Sequence, residues 1–145
     1  MRPDPASAVP FFLMLAALGA FIGGLVSAIV LRAAAHWALR LEIEFWSAFG
    51  TVFFASLVNG AIGFVAGLAM STAFHENPAL LLPGELAMLL VNFLVLSVFV
   101  SARHTLTFRQ AMKVVLYMYL IVLLIVVVVG AAVTGALLFT GVLRH

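Results

Sequence analysis

The chain has 145 residues, 66% of them hydrophobic and 8% charged, with a formal net charge of +2. A soluble domain carries about 45–50% apolar and about 25% charged residues, so seven Lys/Arg and five Asp/Glu cannot cover a globule of this size. The composition excludes a soluble enzyme, a disordered tail and a conventional nucleic-acid binder, and it points to an all-α integral membrane protein with the lipid bilayer as its first partner.

A hydrocarbon core of about 30 Å needs about 20 apolar residues of helix. Four stretches reach that length, roughly residues 9–31, 45–74, 80–101 and 111–142, and together they read as one membrane domain over residues 1–145. The first is uncharged and longer than the apolar core of about 7–15 residues in a secretory signal. With Arg2 offset by Asp4, it reads as a retained helix. It contains Gly19-x-x-x-Gly23-x-x-x-Ser27, a small-residue stripe of the kind that lets helices approach closely in lipid.

Residues 32–45 (RAAAHWALRLEIEF) support two periods. As helix, Trp37, Leu41 and Phe45 form one stripe and His36, Arg40 and Glu44 another; as extended chain, Leu39, Leu41, Ile43 and Phe45 alternate with charged residues. Either way Trp37 and Trp46 suit a membrane interface. The segment reads as an interfacial elbow, or as a docking surface built on Trp37, Arg40 and Trp46.

The second span carries Asn59-x-x-x-Gly63-x-x-x-Gly67-x-x-x-Ser71. Packed on the Gly19/Gly23/Ser27 stripe, Gly63 and Gly67 would close the first hairpin; the rival reading is a dimer seam. The third span holds Glu85, the only acid inside a predicted span, after Pro83-Gly84. Pro is favoured in a first helical turn, where a carboxylate complements the helix dipole. Asn92 is two turns beyond Glu85 and faces the same way. Asn59 and Asn92 are expected at similar depth, either bonded to each other or serving as polar stations on a solute path.

The fourth span contains the uninterrupted apolar run 114–133, rich in β-branched residues. Helix is expected all the same, because in hydrocarbon every backbone polar group must be paired internally. Bulky side chains surround residues 114–129, so this helix should face lipid or form the seam to a larger partner.

Displaced by 63 positions (45 to 108), the second span meets the fourth with Phe45 on Phe108, Ala48 on Ala111 and Val52 on Val115. That spacing suggests two helical hairpins in parallel orientation. The positive-inside rule sets Arg32, Arg40, Arg103, Arg109 and Lys113 against Arg2 and Arg144, which puts both termini outside the cytoplasm of a cell inner membrane.

No cysteine is present, so thiolate metal sites and thiol nucleophiles are excluded. Haem sites in bundles use histidines projecting inward from facing helices. His36, His75, His104 and His145 all fall near interfaces and read as solvated or headgroup-facing, with no cofactor or metal expected. The sequence points to a non-catalytic accessory, assembly or packing subunit of a larger membrane complex or homo-oligomer. The alternative is an oligomeric channel or transporter for an ion or small solute, with polar stations at Asn59, Glu85 and Asn92.

Overall fold

A computed structural model describes the backbone of residues 5–76 and 81–139 and the side chains of 18–69 and 81–136. The side chains of Arg2, Asp4, Ser71, His75, Arg144 and His145 lie outside the described residues. Four helices follow one another: α1 (Pro5–Leu39), α2 (Phe45–Glu76), α3 (Leu81–His104) and α4 (Phe108–Phe139). Each is long and apolar enough to cross a membrane. The chain is a multi-pass, all-helical membrane protein.

The elbow after the first span uses both periods, one after the other. Helix α1 continues to Leu39, and Arg40 then takes a left-handed conformation at φ 54°. Its amide donates to the His36 carbonyl at 2.9 Å, closing the helix end in an αL cap. Residues 41–44 are in neither helix nor strand, and their burial alternates, with Leu41 and Ile43 turned inward and Glu42 and Glu44 exposed. Thr105 ends α3 in the same way at φ 52°. The Leu106 amide reaches back to the Ser101 carbonyl at 3.2 Å, the longer bond of a Schellman cap. A capping box then starts α4, with the Gln110 side chain accepting from the Thr107 amide at 3.0 Å and the Gln110 amide donating to Thr107 Oγ1 at 3.4 Å.

Each of these two connections is also tied to the preceding helix through one carbonyl. Arg32 Nε donates to the Ile43 carbonyl at 2.8 Å, and Ser101 Oγ donates to the Leu106 carbonyl at 2.7 Å. Ile43 and Leu106 are 63 positions apart, the repeat spacing read from the sequence. The buried positions keep the same register: Ala48, Thr51, Val52 and Ala55 on α2 match Ala111, Val114, Val115 and Met118 on α4. Both sets follow the i, i+3, i+4, i+7 spacing of one helix face. Leu31 and Ala35 on α1 match Leu96 and Val100 on α3 at a spacing of 65 (31 to 96), because the first connection is two residues longer.

The helices form a ring in which, among the described residues, α1 and α3 each touch α2 and α4 but not each other. Burial is confined to one half. Among the described side chains, none is buried before Gly24 on α1, beyond Ala55 on α2, before Leu96 on α3 or beyond Met118 on α4. The half carrying the α1–α2 and α3–α4 connections is therefore closed around Leu31, Val100, Val114 and Val115, all fully buried. The other half is open.

Alanine makes the close approach, with Ala28, Ala34, Ala35, Ala48 and Ala111 all inaccessible. Among the described residues the expected glycine seam does not form within the chain. Gly19, Gly23 and Gly67 have nothing within 4 Å of a built Cβ, and Gly63 meets only the Met88 methyl at 3.8 Å. The α1–α2 contact goes instead through buried Gly24, whose Cβ would come within 3.0 Å of the Phe49 ring. That ring sits in an aromatic row, 5.6 Å from both Phe21 and Phe53. Gly24→Val should lower the unfolding midpoint in detergent, with an overpacking cost of about 1–3 kcal/mol, whereas Gly19→Val should leave it unchanged. Equal effects at the two positions would contradict this seam.

Candidate functional site

Where the helices part, they leave an open cavity of about 470 Å³ between them. Five hydrogen-bonding side chains line it, at least one from each helix: Ser27 of α1, Ser56 and Asn59 of α2, Asn92 of α3 and Tyr119 of α4. A second cavity of about 340 Å³ runs between α2 and α3 toward Glu85. Gly63, Met88 and Asn92 line both cavities, with the Met88 methyl 3.8 Å from a Cβ built on Gly63, so the two adjoin. The cleft they make up runs from exposed Glu85, past Asn92 about 10 Å deeper along α3, to Val52, Ala55, Leu96 and Met118. Below that floor lies the closed core.

Asn59, Glu85 and Asn92 are thus brought to a single cleft. Their partners differ from the expectation. The side-chain oxygens of Asn59 and Asn92 are both buried and neither has a hydrogen-bond partner, so the two amides do not bond to each other. The reason is backbone chemistry. Inside a helix every N–H is already used and only carbonyls have lone pairs to share. A buried hydroxyl can donate back to its own helix, as Ser97 Oγ does to the Phe93 carbonyl at 2.8 Å and Thr51 Oγ1 to the Ser47 carbonyl at 2.8 Å. An amide oxygen needs a donor, and where the helices part none of the hydroxyl or amide N–H groups on the cavity lies within hydrogen-bond distance of either oxygen.

Glu85 also sits differently from its expected first-turn place. Helix α3 already includes Leu81, so Glu85 falls in the second turn, beyond the reach over which the helix dipole acts strongly. Ser27 lines the cavity as the counterpart of Asn92 at the 65-residue spacing (27 to 92), and Tyr119 as the counterpart of Ser56 at 63 (56 to 119). Ser56 and Tyr119 were not singled out in the sequence; the repeat spacing carried the signal that links them.

At the closed end, α3 grips α2. Thr51 has one hydroxyl proton, which goes to the Ser47 carbonyl, so the 3.0 Å contact with His104 is donated by His104 Nε2. The Arg103 guanidinium lies across Gly50, with Nη2 2.9 Å from a built Cβ, and 5.9 Å over the Phe54 ring. His104 is therefore a half-buried interhelical donor and not the solvated group expected, while His36 is exposed as expected. Trp37, Arg40 and Trp46 are all exposed beside this end. Among the described residues no three His, Asp or Glu side chains are grouped as metal ligands would be.

Comparison with family models, with curated proteins and with solved structures finds no match. The cleft's chemistry is read from its own residues.

An unpartnered buried amide contributes no glue, and its removal is expected to stabilise. Asn59→Leu and Asn92→Leu should each hold or raise the thermal midpoint in detergent, by up to about 1–3 kcal/mol. Were the amides bonded across the helices, each change would instead cost about 0.6 kcal/mol. The sign of the midpoint shift separates the two.

Proposed function

We propose that the chain is a non-catalytic membrane protein that receives a small hydrogen-bonding solute in the α2–α3 cleft, as the binding unit of an oligomeric channel or transporter. One observation carries the reading: Asn59 and Asn92 line a pocket that adjoins a second one reaching exposed Glu85, and their side-chain oxygens are buried without partners. Leaving such groups unsatisfied costs about 1–3 kcal/mol each, and a turn of either amide that brought its oxygen onto a bound solute would remove that cost.

The basic residues of the closed end, Arg32, Arg40, Arg103, Arg109 and Lys113, assign that end to the cytoplasm by the positive-inside rule. The cleft then opens to the outer face of a bacterial inner membrane. Its floor is sealed by apolar packing, so passage to the other side requires the closed half to part.

The absence of native cysteine makes the test direct. Single Met88→Cys or Gly63→Cys variants in sealed vesicles should react with a membrane-impermeant thiol reagent added outside. Val115→Cys, buried below the floor, should not. Failure of Met88→Cys and Gly63→Cys to react from either side would overturn the cleft.

The second reading, an accessory or assembly subunit, is favoured by α4. Every described residue from Val122 to Ala136 is exposed, and Gly19 and Gly23 stand open on α1. Native mass measurement of the gently solubilised protein decides this point. Stoichiometric companion chains would support the subunit reading, and a lone chain or a ring of identical copies would exclude it.

A further inference from the structure

Independent of the cleft, and at the other end of the bundle, we propose that the α1–α2 connection holds the headgroup of a phosphatidylethanolamine lipid. Its site is an open cavity of about 350 Å³ lined by Arg32, Ala33, His36, Leu41, Glu42 and Ile43. Charges of both signs share the wall. Arg32 gives its Nε proton to the Ile43 carbonyl at 2.8 Å, which orients the guanidinium and leaves both Nη groups to donate. Among the described residues Arg32 and Glu42 line this cavity together without forming an ion pair. The nearest side chains outside the described set are far along their helices. Ala17 is about 22 Å of α1 from Arg32 (17 to 32), and Met70 about 38 Å of α2 from Phe45 (45 to 70).

The two charges ask for different partners. A guanidinium fork donates parallel bonds to the oxygens of a phosphodiester, and the His36 ring, one turn beyond Arg32 on α1, can add another donor. Glu42 is acceptor-only when ionised and is matched by a primary ammonium, which carries three N–H donors. A zwitterion with phosphate and ammonium joined by a short linker satisfies both at once. Ethanolamine phosphate has that form. Phosphatidylglycerol would bring no cation to Glu42, and the choline group of phosphatidylcholine has no N–H to donate. Arg40 and Glu44 are exposed on the same connection but do not line the cavity, and their charges offset.

The membrane side of the site argues for a lipid over a free headgroup. Ile22, Val26 and Ile29 are all exposed, and with Ala33 and His36 they follow the i, i+4, i+7 spacing of one face of α1. An apolar strip thus leads from the cavity along α1. From Ile22 to Arg32 it covers about 15 Å of helix, half of a hydrocarbon core of about 30 Å. That is the depth of one leaflet, so an acyl chain can follow the strip while its headgroup occupies the cavity. Trp37 and Trp46 are exposed at the same end, as suits residues at headgroup level.

The test takes the full-length protein, stripped of lipid in detergent, and offers it equimolar phosphatidylethanolamine, phosphatidylglycerol and phosphatidylcholine with identical acyl chains. Bound lipids are counted by native mass spectrometry. Phosphatidylethanolamine should be bound about three- to fivefold more than either competitor, in the upper range of exposed charge pairs. Glu42 is exposed and outside every helix, so Glu42→Gln should keep its thermal midpoint and lose the preference. Glu42→Lys should bind phosphatidylglycerol ahead of phosphatidylethanolamine. Glycerophosphoethanolamine, the same headgroup without chains, should not displace the bound lipid at equal concentration.

Equal binding of all three lipids to the unaltered protein would overturn headgroup recognition. Phosphatidylcholine bound as well as phosphatidylethanolamine would overturn the ammonium N–H groups as the selecting feature. A preference that survives both Glu42→Gln and Glu42→Lys would overturn this cavity as the site. Displacement by glycerophosphoethanolamine would overturn the lipid as the source of the headgroup. None of these outcomes bears on the cleft, which stands or falls on labelling at Met88→Cys and Gly63→Cys.

Discussion

A helix in a bilayer uses every one of its backbone N–H groups and leaves only carbonyl lone pairs to share. This one constraint sorts the polar side chains of the protein. Hydroxyls that fall inside the bundle donate to a carbonyl of their own turn, as Ser97 and Thr51 do, and cost little. An amide oxygen has no such recourse. Asn59 and Asn92 lie in the open half, where neither side-chain oxygen meets a donor.

The duplicated architecture explains where these amides fall. In the closed half the two hairpins repeat each other closely, with alanines at the crossing points and the same four-position pattern on α2 and α4. Moving outward, the equivalence decays in chemistry while holding in position. Ser27 stands opposite Asn92 in the repeat, Ser56 opposite Tyr119, and Asn59 opposite Val122. The polar side chains thus accumulate on the α2–α3 side. A bundle with exact two-fold symmetry would place its polar groups in matching pairs on opposite sides of the central axis. Here the divergence between hairpins gives the cavity a direction, toward Glu85 and away from the apolar run of α4.

Much of this was legible before any coordinates. The four spans follow from length and apolarity alone, and the Phe45/Phe108 spacing anticipated the shared register of the buried faces. The inward residues were harder to read, because in a chain this apolar nearly every position on a helix is hydrophobic and periodicity carries no contrast. Glycine attracted attention at Gly19, Gly23 and Gly67, yet the helices meet through alanines and through Gly24. A glycine stripe shows where close approach is permitted; it does not show which face turns inward. The conflict of periods in residues 32–45 had a simple physical origin, since a left-handed residue at Arg40 divides a helical segment from one whose burial alternates. Which partner a side chain finds, as with His104 on Thr51 or Arg103 across Gly50, depends on contacts between helices that no local pattern encodes.

The distribution of cohesion also bears on how such a cleft could work. The last turn of α3 is fixed to α2 by a charge-bearing side chain laid on a glycine and by a hydrogen bond to a buried threonine. The two connections at that end are short and capped, and each is anchored to the preceding helix through one carbonyl. Fully buried Leu31, Val100, Val114 and Val115 fill the space between. Each of these contacts must be broken before the floor can part, and in lipid their hold comes from close packing and hydrogen bonds. The outer half has no comparable core among its described residues. Any rearrangement of lowest cost therefore pivots on the closed end and changes the width of the open one. On the proposed reading, a ligand between Asn59 on α2 and Asn92 on α3 would draw together two helices with no buried described residue there, so its binding would be coupled to closure of the cleft, with the basic, capped end as the fixed point.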